Sequence, residues 1–254
     1  MPEGDTIWRT AAALRARLAG RTVLRAAPPG LAPLRGRSVE AVEAVGKHLL
    51  IRLTGRPGAP AVVLHSHMRM SGSWHLYAPG ERWRQPAHRA RAVLEVEGAV
   101  AVCFDAPVVE LRPDDGAAVG HLGPDVLADD LALDEVVARA RAAGDRAVGE
   151  LLLDQRVCAG IGNIHRCTSL WRQRLDPWTP VAALDDDTLR RLYLAAREGM
   201  RARLRPEPGR GHAAGIHGRA LRPCPRCETP IRVRRQGSPG RLTWFCPSCQ
   251  GVAG

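Results

Sequence analysis

Four cysteines in the C-terminal part of the chain have the spacing of a metal site. Cys224-x2-Cys227 and Cys246-x2-Cys249 are two C-x-x-C pairs with eighteen residues between them. Each pair can direct two thiolates at one ion. Four Cys ligands leave no open position, so the spacing predicts a structural Zn²⁺ rather than a catalytic one. A redox pair and four unligated core cysteines are the alternatives.

A hairpin is predicted between the two cysteine pairs. Its strands would be residues 232–234 and 242–245, and residues 237–240 would form the turn. Arg241 follows this turn, where a guanidinium is well placed to bind a phosphate with two hydrogen bonds. An arginine at a turn is more often simply solvated, so Arg241 becomes a candidate only together with other features.

The N-terminus offers a different chemistry. Met1 precedes the small residue Pro2, so removal of Met1 is expected and would leave a secondary amine. An α-amino group has a pKa of about 7.7–8.0, so part of it is neutral and nucleophilic near pH 7. Its condensation with an aldehyde gives a cationic iminium, which is an electron sink for eliminations, and Glu3 could shuttle protons beside it. A harmless terminus is the alternative, because many chains begin Met-Pro.

The charge of the chain favours a polyanionic partner. Its 254 residues include 37 Lys and Arg against 26 Asp and Glu, a formal net charge of +11. Nucleic acid and an anionic membrane surface both fit this charge. No apolar run approaches the roughly 18 residues that span a bilayer, and the N-terminus lacks the pattern of a secretory signal. A cytoplasmic protein is therefore expected, in which the seven cysteines form no disulfide framework.

The elements that must position these residues follow in a clear order. A first helix is predicted, with Asp5 or Thr6 as its cap and Gly20 after its end. Short segments rich in Val and Leu then suggest a sandwich or barrel. These predicted strands are residues 22–26, 38–45, 48–53, 61–66, 91–98 and 99–104, and the apolar face of the helix is Ile7, Ala11, Leu14 and Leu18.

The second half of the chain has helical patterns. Asp134 or Asp187 could cap two of the helices, and the Pro-, Gly- and Arg-rich residues 205–218 suggest a linker. We predict an α+β multidomain protein with a β-sandwich domain at 1–124, a helical domain at 125–214 and a zinc-finger hairpin at 215–254. The predicted helices are residues 133–143, 147–155, 164–174 and 187–204.

The chain resembles the formamidopyrimidine-DNA glycosylase/endonuclease VIII family. The matching motifs occur in the family's order and cover nearly the whole chain. They are Met1-Pro2-Glu3-Gly4, Val45-Gly46-Lys47-His48-Leu49-Leu50, His67-Met68-Arg69-Met70-Ser71-Gly72-Ser73-Trp74, Leu122-Gly123-Pro124-Asp125, Leu151-Leu152-Leu153-Asp154-Gln155, Gly160-Ile161-Gly162-Asn163 and the four-Cys finger with Arg241-Leu242-Thr243-Trp244-Phe245.

The resemblance implies a bifunctional glycosylase and lyase of base excision repair. Pro2 would attack C1′ of a damaged nucleotide, Glu3 would act as general acid and base, and the Schiff base would drive β- and δ-elimination. Lys47 matches the lysine that contacts the lesion phosphate. Asn163, in the turn of a helix–two-turns–helix motif, and the finger Arg241 would grip neighbouring phosphates. The implied partners are damaged DNA and one structural Zn²⁺, and a monomer is expected.

Removal of a base requires the nucleotide to leave the stack, so another group must fill the gap. Arg69 or Met70 lies where family members have intercalating residues, although core packing is an alternative for a methionine.

Several positions depart from the family pattern. Thr6 and Thr168 stand where carboxylates are common, and residues 105–110 lack the Arg and Phe wedges of the purine-specific branch. The linker is also too short for that branch's capping loop. These departures favour the endonuclease VIII-like, actinobacterial-type branch and oxidised pyrimidines, with oxidised purines as the runner-up. The lost carboxylates also leave open a non-catalytic zinc-finger protein that senses damage.

Overall fold

Helix α1, Gly4–Leu18, opens the computed structural model, which describes residues 2–205, 215–238 and 240–252. The helix and its buried apolar face are as predicted. Glu3 is the N-cap, so the prediction of Asp5 or Thr6 is wrong, because the helix begins before both. The Asp5 carboxylate instead accepts the Thr6 backbone N–H at 2.8 Å within the first turn. Gly20 lies just beyond the helix with φ of +75°, as a C-terminal glycine should.

Two antiparallel four-stranded sheets follow and form a sandwich with α1. The predicted strand segments are confirmed in outline, and the structure adds β5 and β8. One sheet has the order β1-β6-β7-β5 and the other β2-β3-β4-β8. The strands are β1 Arg25–Ala27, β2 Val39–Val45, β3 His48–Leu53, β4 Val62–His67, β5 Ser73–Tyr77, β6 Ala90–Val96, β7 Ala99–Phe104 and β8 Val108–Arg112, followed by the short helix α2, Gly116–Val119.

The core of this first unit, Met1–His121, is built from both sheets and the helix. Leu14 of α1, Leu49 of β3 and Ala101 of β7 belong to one buried apolar cluster. Alternation along a strand sends neighbouring residues to opposite faces. The residues next to the core positions in β3 and β4 therefore form a polar face, which carries His48, His65 and His67.

The second unit, Leu122–Gly254, is helical with a C-terminal hairpin. Asp185 caps α6 by accepting the Thr188 N–H at 2.6 Å, and Ala132 precedes α3. The predicted caps Asp134 and Asp187 are therefore wrong, since both lie inside the first turn of their helices. The elements are α3 Leu133–Arg141, α4 Val148–Leu151, α5 Asn163–Arg172, α6 Asp186–Leu204, β9 Arg232–Gln236, β10 Arg241–Phe245 and α7 Pro247–Gln250.

Two further predictions in this unit need correction. The helix expected over 147–155 shortens to α4, because Asp154 accepts the Arg156 backbone N–H at 3.1 Å and turns the chain. Most of the expected linker, residues 206–214, lies outside the described residues. Its last part is structured, since Ile216 is fully buried among the finger cysteines.

Every helix in the described parts of the chain is too short or too polar to span a lipid bilayer.

Candidate active site and nucleic-acid interface

The first residues of unit 1 lie at the N-terminal end of α1. Glu3 is 1% exposed, and its carbonyl accepts the backbone N–H groups of Thr6 and Ile7 at 2.9 and 3.0 Å. Pro2, directly before it, is half-buried. The partial positive charge of a helix N-terminus favours carboxylates at this end, where Glu3 and Asp5 both lie. The helix thus fixes the backbone from which Pro2 extends and holds a buried carboxylate next to it.

Lys47 lies at the tip of the β2–β3 hairpin. Val45 pairs with His48, so Gly46 and Lys47 form a two-residue turn. Gly46 has φ of +58°, a conformation that favours glycine at the first position of such a turn. Lys47 is half-buried and stands directly before the first residue of β3.

A group of histidines that the sequence analysis did not single out lies beside this turn. His48 Nδ1 and His65 Nε2 are 2.8 Å apart, and their rings are stacked with centroids 5.1 Å apart. The His67 ring meets His48 edge-on at 4.7 Å, and the His121 ring is 6.2 Å away. The pairing of β3 with β4 brings His48 next to His65 and His67, whereas His121 follows the last strand of the unit. We call His48, His65, His67 and His121 the histidine row.

His48, His65 and His67 favour their neutral forms, because burial lowers the pKa of each. For His48, burial and then repulsion from a protonated His67 lower the pKa to about 3. Burial also lowers the pKa of His67, to about 4, and the charges of Arg69 and Lys47 contribute. At neutral pH these three rings therefore present uncharged nitrogen atoms close to the cationic side chains of Lys47 and Arg69.

The loop after β4 separates two methionines into different environments. Met68 is 2% exposed and belongs to the core, whereas Met70 is 67% exposed. Arg69 between them is exposed with φ of +46°, and its backbone N–H donates to His67 Nδ1 at 3.1 Å. Gly72 closes the loop, since a Cβ there would lie 2.8 Å from the Met68 backbone. Core packing therefore accounts for Met68 but not for Met70.

Asn163 begins α5 in unit 2, directly after the double turn. Gln155 shapes this turn by accepting the Gly160 N–H at 3.0 Å and donating to the Ile161 carbonyl at 3.1 Å. Gly160 has φ of +101°, so a side chain there would be strained. Asn163 is 6% exposed, and its Nδ2 donates to the Leu242 carbonyl at 2.9 Å.

The same carbonyl joins α5 to the finger hairpin through a second donor. Arg166 is fully buried, and its Nη2 donates to Leu242 O at 2.9 Å and to Thr243 Oγ1 at 2.7 Å. Thr243 in turn donates to Gln236 Oε1 at 3.1 Å. This network fixes β10, the strand that begins with Arg241. Arg166 is not among the residues predicted from the sequence, although a charged residue one helical turn after Asn163 was a signal for it.

His217 also links the two parts of this unit. Its ring lies 4.2 Å from that of Trp244, and its Nε2 is 3.5 Å from Asn163 Nδ2. The pKa of His217 is lowered by burial. His217 therefore has a structural role, since its neutral ring contacts both Asn163 at the start of α5 and Trp244 in β10.

The four finger cysteines converge on one point. Their sulfur atoms lie within 4.8 Å of one another, and three of the separations are 3.3, 3.5 and 3.8 Å. Tetrahedral Zn²⁺ with Zn–S bonds of about 2.3 Å separates its ligands by about 3.8 Å. The backbone N–H of Arg226 and the indole N–H of Trp171 donate to Cys224 Sγ at 3.4 and 3.3 Å, which stabilises a thiolate. The residues therefore fit a structural zinc ion.

The hairpin between the cysteine pairs has the predicted strands, and Arg241 is the first residue of β10. It pairs with Gln236 across the turn, and it is exposed. The strand register and the bonds from Asn163 and Arg166 to its neighbour Leu242 hold its backbone in place.

The positions that depart from the family pattern lie in different surroundings. Thr168 is 9% exposed, and a Cβ on Gly215 would lie 2.4 Å from its Oγ1, so the site is closely packed. Thr6 is half-buried on α1. Asp105 has φ of +51° and is bound to Arg89, and β8 begins three residues later.

Comparisons with known proteins cover both units. Residues 1–107 match the formamidopyrimidine-DNA glycosylase N-terminal domain, and residues 122–209 match the H2TH domain of the same glycosylase. The chain is 42% identical to a probable endonuclease 8 2 of Streptomyces coelicolor, over 98% of this chain and 94% of that protein. It is 37% identical to the DNA-(apurinic or apyrimidinic site) lyase Nei2 of Mycolicibacterium smegmatis, over 98% and 99%.

Solved structures agree with this assignment. The MutM (Fpg) protein of Thermus thermophilus matches with a TM-score of 0.80 and 30% identity, covering all of both chains. The Fpg of Lactococcus lactis bound to abasic-site DNA has the same fold, with a TM-score of 0.82 at 20% identity over 98% of this chain and 100% of that one. The chain therefore belongs to the formamidopyrimidine-DNA glycosylase/endonuclease VIII family of DNA-repair glycosylases and lyases.

Proposed function

We propose that this protein removes oxidised bases from DNA, pyrimidines in preference to purines, and then cuts the strand at the resulting site. The observation that carries the proposal is the N-terminus of α1, where Pro2 precedes the buried carboxylate of Glu3 in a chain of this family. A secondary amine next to a proton donor and acceptor is the pair that this chemistry needs.

The reaction follows from the chemistry of a secondary amine. Attack of the Pro2 nitrogen on C1′ forms a C–N bond and breaks the glycosidic bond, and the base leaves with a proton. Opening of the sugar ring gives the iminium, with Glu3 supplying the proton to the ring oxygen. The iminium draws in the electrons released when C2′ loses a proton, so the 3′ phosphate is expelled. A second elimination expels the 5′ phosphate.

DNA binding would use one cation from each unit and a neutral amide. Lys47 and Arg241 are the phosphate contacts that we propose, together with the neutral Asn163. The two cations account for only part of the net charge of +11. Met70 or Arg69 would fill the gap left by the extruded nucleotide. The exposure of Met70 supports this role, because an apolar side chain in solvent has no packing function. One structural Zn²⁺ on the four cysteines would hold the finger, in a monomeric cytoplasmic enzyme.

Borohydride trapping tests the proposal directly. Wild-type protein incubated with abasic-site DNA and borohydride should form a covalent adduct, because the reagent reduces the iminium. Pro2→Gly should lose the covalent protein–DNA adduct that the wild-type protein forms. Arg9→Ala, a change at an exposed residue of the same helix, should retain it. Absence of any adduct with the wild-type protein would exclude the lyase chemistry. Salt-sensitive binding without cleavage would then support the alternative, a non-catalytic damage-sensing protein, to which Thr6 and Thr168 point.

Substrate preference requires a separate assay. Thymine glycol or 5-hydroxyuracil should be removed faster than 8-oxoguanine opposite cytosine, because the chain lacks the wedge residues of the purine-specific branch. Faster removal of 8-oxoguanine would overturn this preference while leaving the lyase proposal intact. Met70→Ala should slow base removal more than cleavage of an abasic site, which has no base to extrude.

A further inference from the structure

The histidine row continues on the polar face of the second sheet into an acidic and a basic residue. His65 pairs across the strands with Glu110, and its side chain is only 5% exposed. His65 Nδ1 has no hydrogen-bond partner, and Glu110 Oε2 lies 3.9 Å from it. Arg112 holds Glu110 from the other side, with Nε donating at 3.0 Å. A small rotation of the half-exposed Glu110 side chain would bring its carboxylate within hydrogen-bond distance of the ring.

This arrangement decides which nitrogen of each ring carries the proton. A buried nitrogen that faces a carboxylate is stable as N–H, so His65 is protonated at Nδ1. Its Nε2 then has the lone pair and accepts a hydrogen bond from His48 Nδ1–H across 2.8 Å. His48 consequently has its lone pair at Nε2. His67 has the opposite tautomer, because its Nδ1 accepts the Arg69 N–H and its proton must lie on Nε2.

The tautomer of His48 matters to the residue before it in the chain. Lys47 and His48 are consecutive, and the positive charge of Lys47 is one of those that lower the pKa of His48. An imidazole with a lone pair at Nε2 attracts an ammonium group, whereas an N–H at that position repels it. A fixed ring also removes backbone freedom at the end of the turn on which Lys47 stands.

We propose that Glu110, His65 and His48 form a relay that sets the tautomer of His48 and thereby positions Lys47, so that His65 is a positioning residue for the reaction. The relay rests on the proposed function only in the role of Lys47. Its architecture follows the logic of a carboxylate that orients an imidazole, extended here by one further imidazole.

Nitrogen-15 NMR of the histidine rings tests the relay without any activity measurement. At pH 7 His48 and His65 should be protonated at Nδ1, and His67, the internal reference in the same spectrum, at Nε2. In Glu110→Gln, a carboxamide that can either donate or accept should leave His65 as a mixture of tautomers. An Nε2–H tautomer for His48 in the wild-type protein would overturn the relay, whether or not the protein cleaves DNA.

A double-mutant cycle then tests the connection to Lys47. With abasic-site DNA and saturating enzyme, His65→Phe should slow formation of the trapped adduct about tenfold, the effect of one lost buried hydrogen bond. His65→Gln, which keeps a donor and an acceptor, should recover most of that rate. In a Lys47→Ala background the same His65→Phe change should have less than a twofold effect. His75→Phe, a half-buried histidine on the other sheet, is the matched control and should retain the wild-type rate.

Two results would overturn the positioning role. The first is an equal loss from His65→Phe with and without Lys47, which would mean that His65 acts independently of Lys47. The second is a loss that His65→Gln does not recover while its melting temperature matches the wild type. If wild-type protein forms no adduct, the proposed function fails, and the NMR measurement still decides the relay.

Discussion

The two units each contain a cluster of four potential metal-binding side chains, and the clusters are built in different ways. The four cysteines point at a common centre within 4.8 Å, and among the residues that the structure describes no other group of three or more ligands is that close. The histidines form a row, in which rings stack or meet edge-on at 4.7–6.2 Å. Side chains that converge can hold an ion, whereas side chains in a row can only orient one another.

The clusters nevertheless serve the same end in different units. The cysteine cluster lies at the base of the hairpin on which Arg241 stands, and the histidine row adjoins the turn on which Lys47 stands. A small hairpin has too little apolar surface to fold alone, and a metal on the four cysteines would supply the missing stability. The β2–β3 turn belongs to a large sheet with a packed core, and hydrogen bonds suffice there.

Loss of the cysteine cluster should have the largest effect. Cys249→Ser removes one of four ligands, so the finger should lose zinc and unfold, and affinity for abasic-site DNA should fall at least about 100-fold. Zinc content by mass spectrometry and DNA binding by anisotropy measure this. Ser248→Ala, exposed in the same turn of α7, is the control. Full affinity for DNA in zinc-free protein would mean that the finger does not need a metal on its cysteines, and the contrast with the histidine row would fail.

The sequence predicted the cysteine cluster in full but not the histidine row. Two C-x-x-C pairs are local patterns, so their spacing alone indicated the site. His48, His65 and His67 meet only because β3 and β4 pair in one register, which no local pattern specifies. Strand β5 was hidden for a related reason, since Ser73 and Trp74 were assigned to a motif rather than to an element. β8 begins inside residues 105–110, which we considered only for the wedges that they lack.

The site residues show the same division. Pro2, Glu3, Lys47 and Asn163 come from short motifs that a resemblance can identify. Arg166 and His217 could not be assigned roles, because their contacts to β10 cross 77 positions (Arg166 to Thr243) and 27 positions (His217 to Trp244) of the sequence. Apolar spacing correctly predicted the buried face of α1. Cap residues were less predictable, since Asp185 and Asp187 are chemically equal and packing chooses between them.

The two cations allow an intermediate test of the comparison. Arg241→Ala and Lys47→Ala should each weaken DNA binding roughly independently of sequence and reduce the slope of log affinity against log salt by about 1. Arg232→Ala on the finger and Arg17→Ala on α1, both exposed, should change neither quantity appreciably. Anisotropy titrations at several salt concentrations give the slopes. An unchanged slope for either variant would mean that its cluster holds a residue with no phosphate contact.

The smallest expected effect is on the pH dependence of stability, to which the histidine row should contribute. Because burial lowers the pKa values of His48 and His67 to about 3 and about 4, the unfolded chain, with pKa values near 6.5, binds protons first as the pH falls. The stabilisation is complete above about pH 6.5 and is lost progressively towards pH 4. Between pH 6 and 5 the free energy of unfolding of wild-type protein should therefore fall more steeply than that of His48→Gln, by about one proton. Urea titrations at each pH measure the slope of the free energy of unfolding against pH. His88→Gln, a change at an exposed histidine, is the control. Equal slopes in wild type and His48→Gln would mean that His48 takes up its proton in the folded protein between pH 6 and 5 as well, which would contradict its lowered pKa.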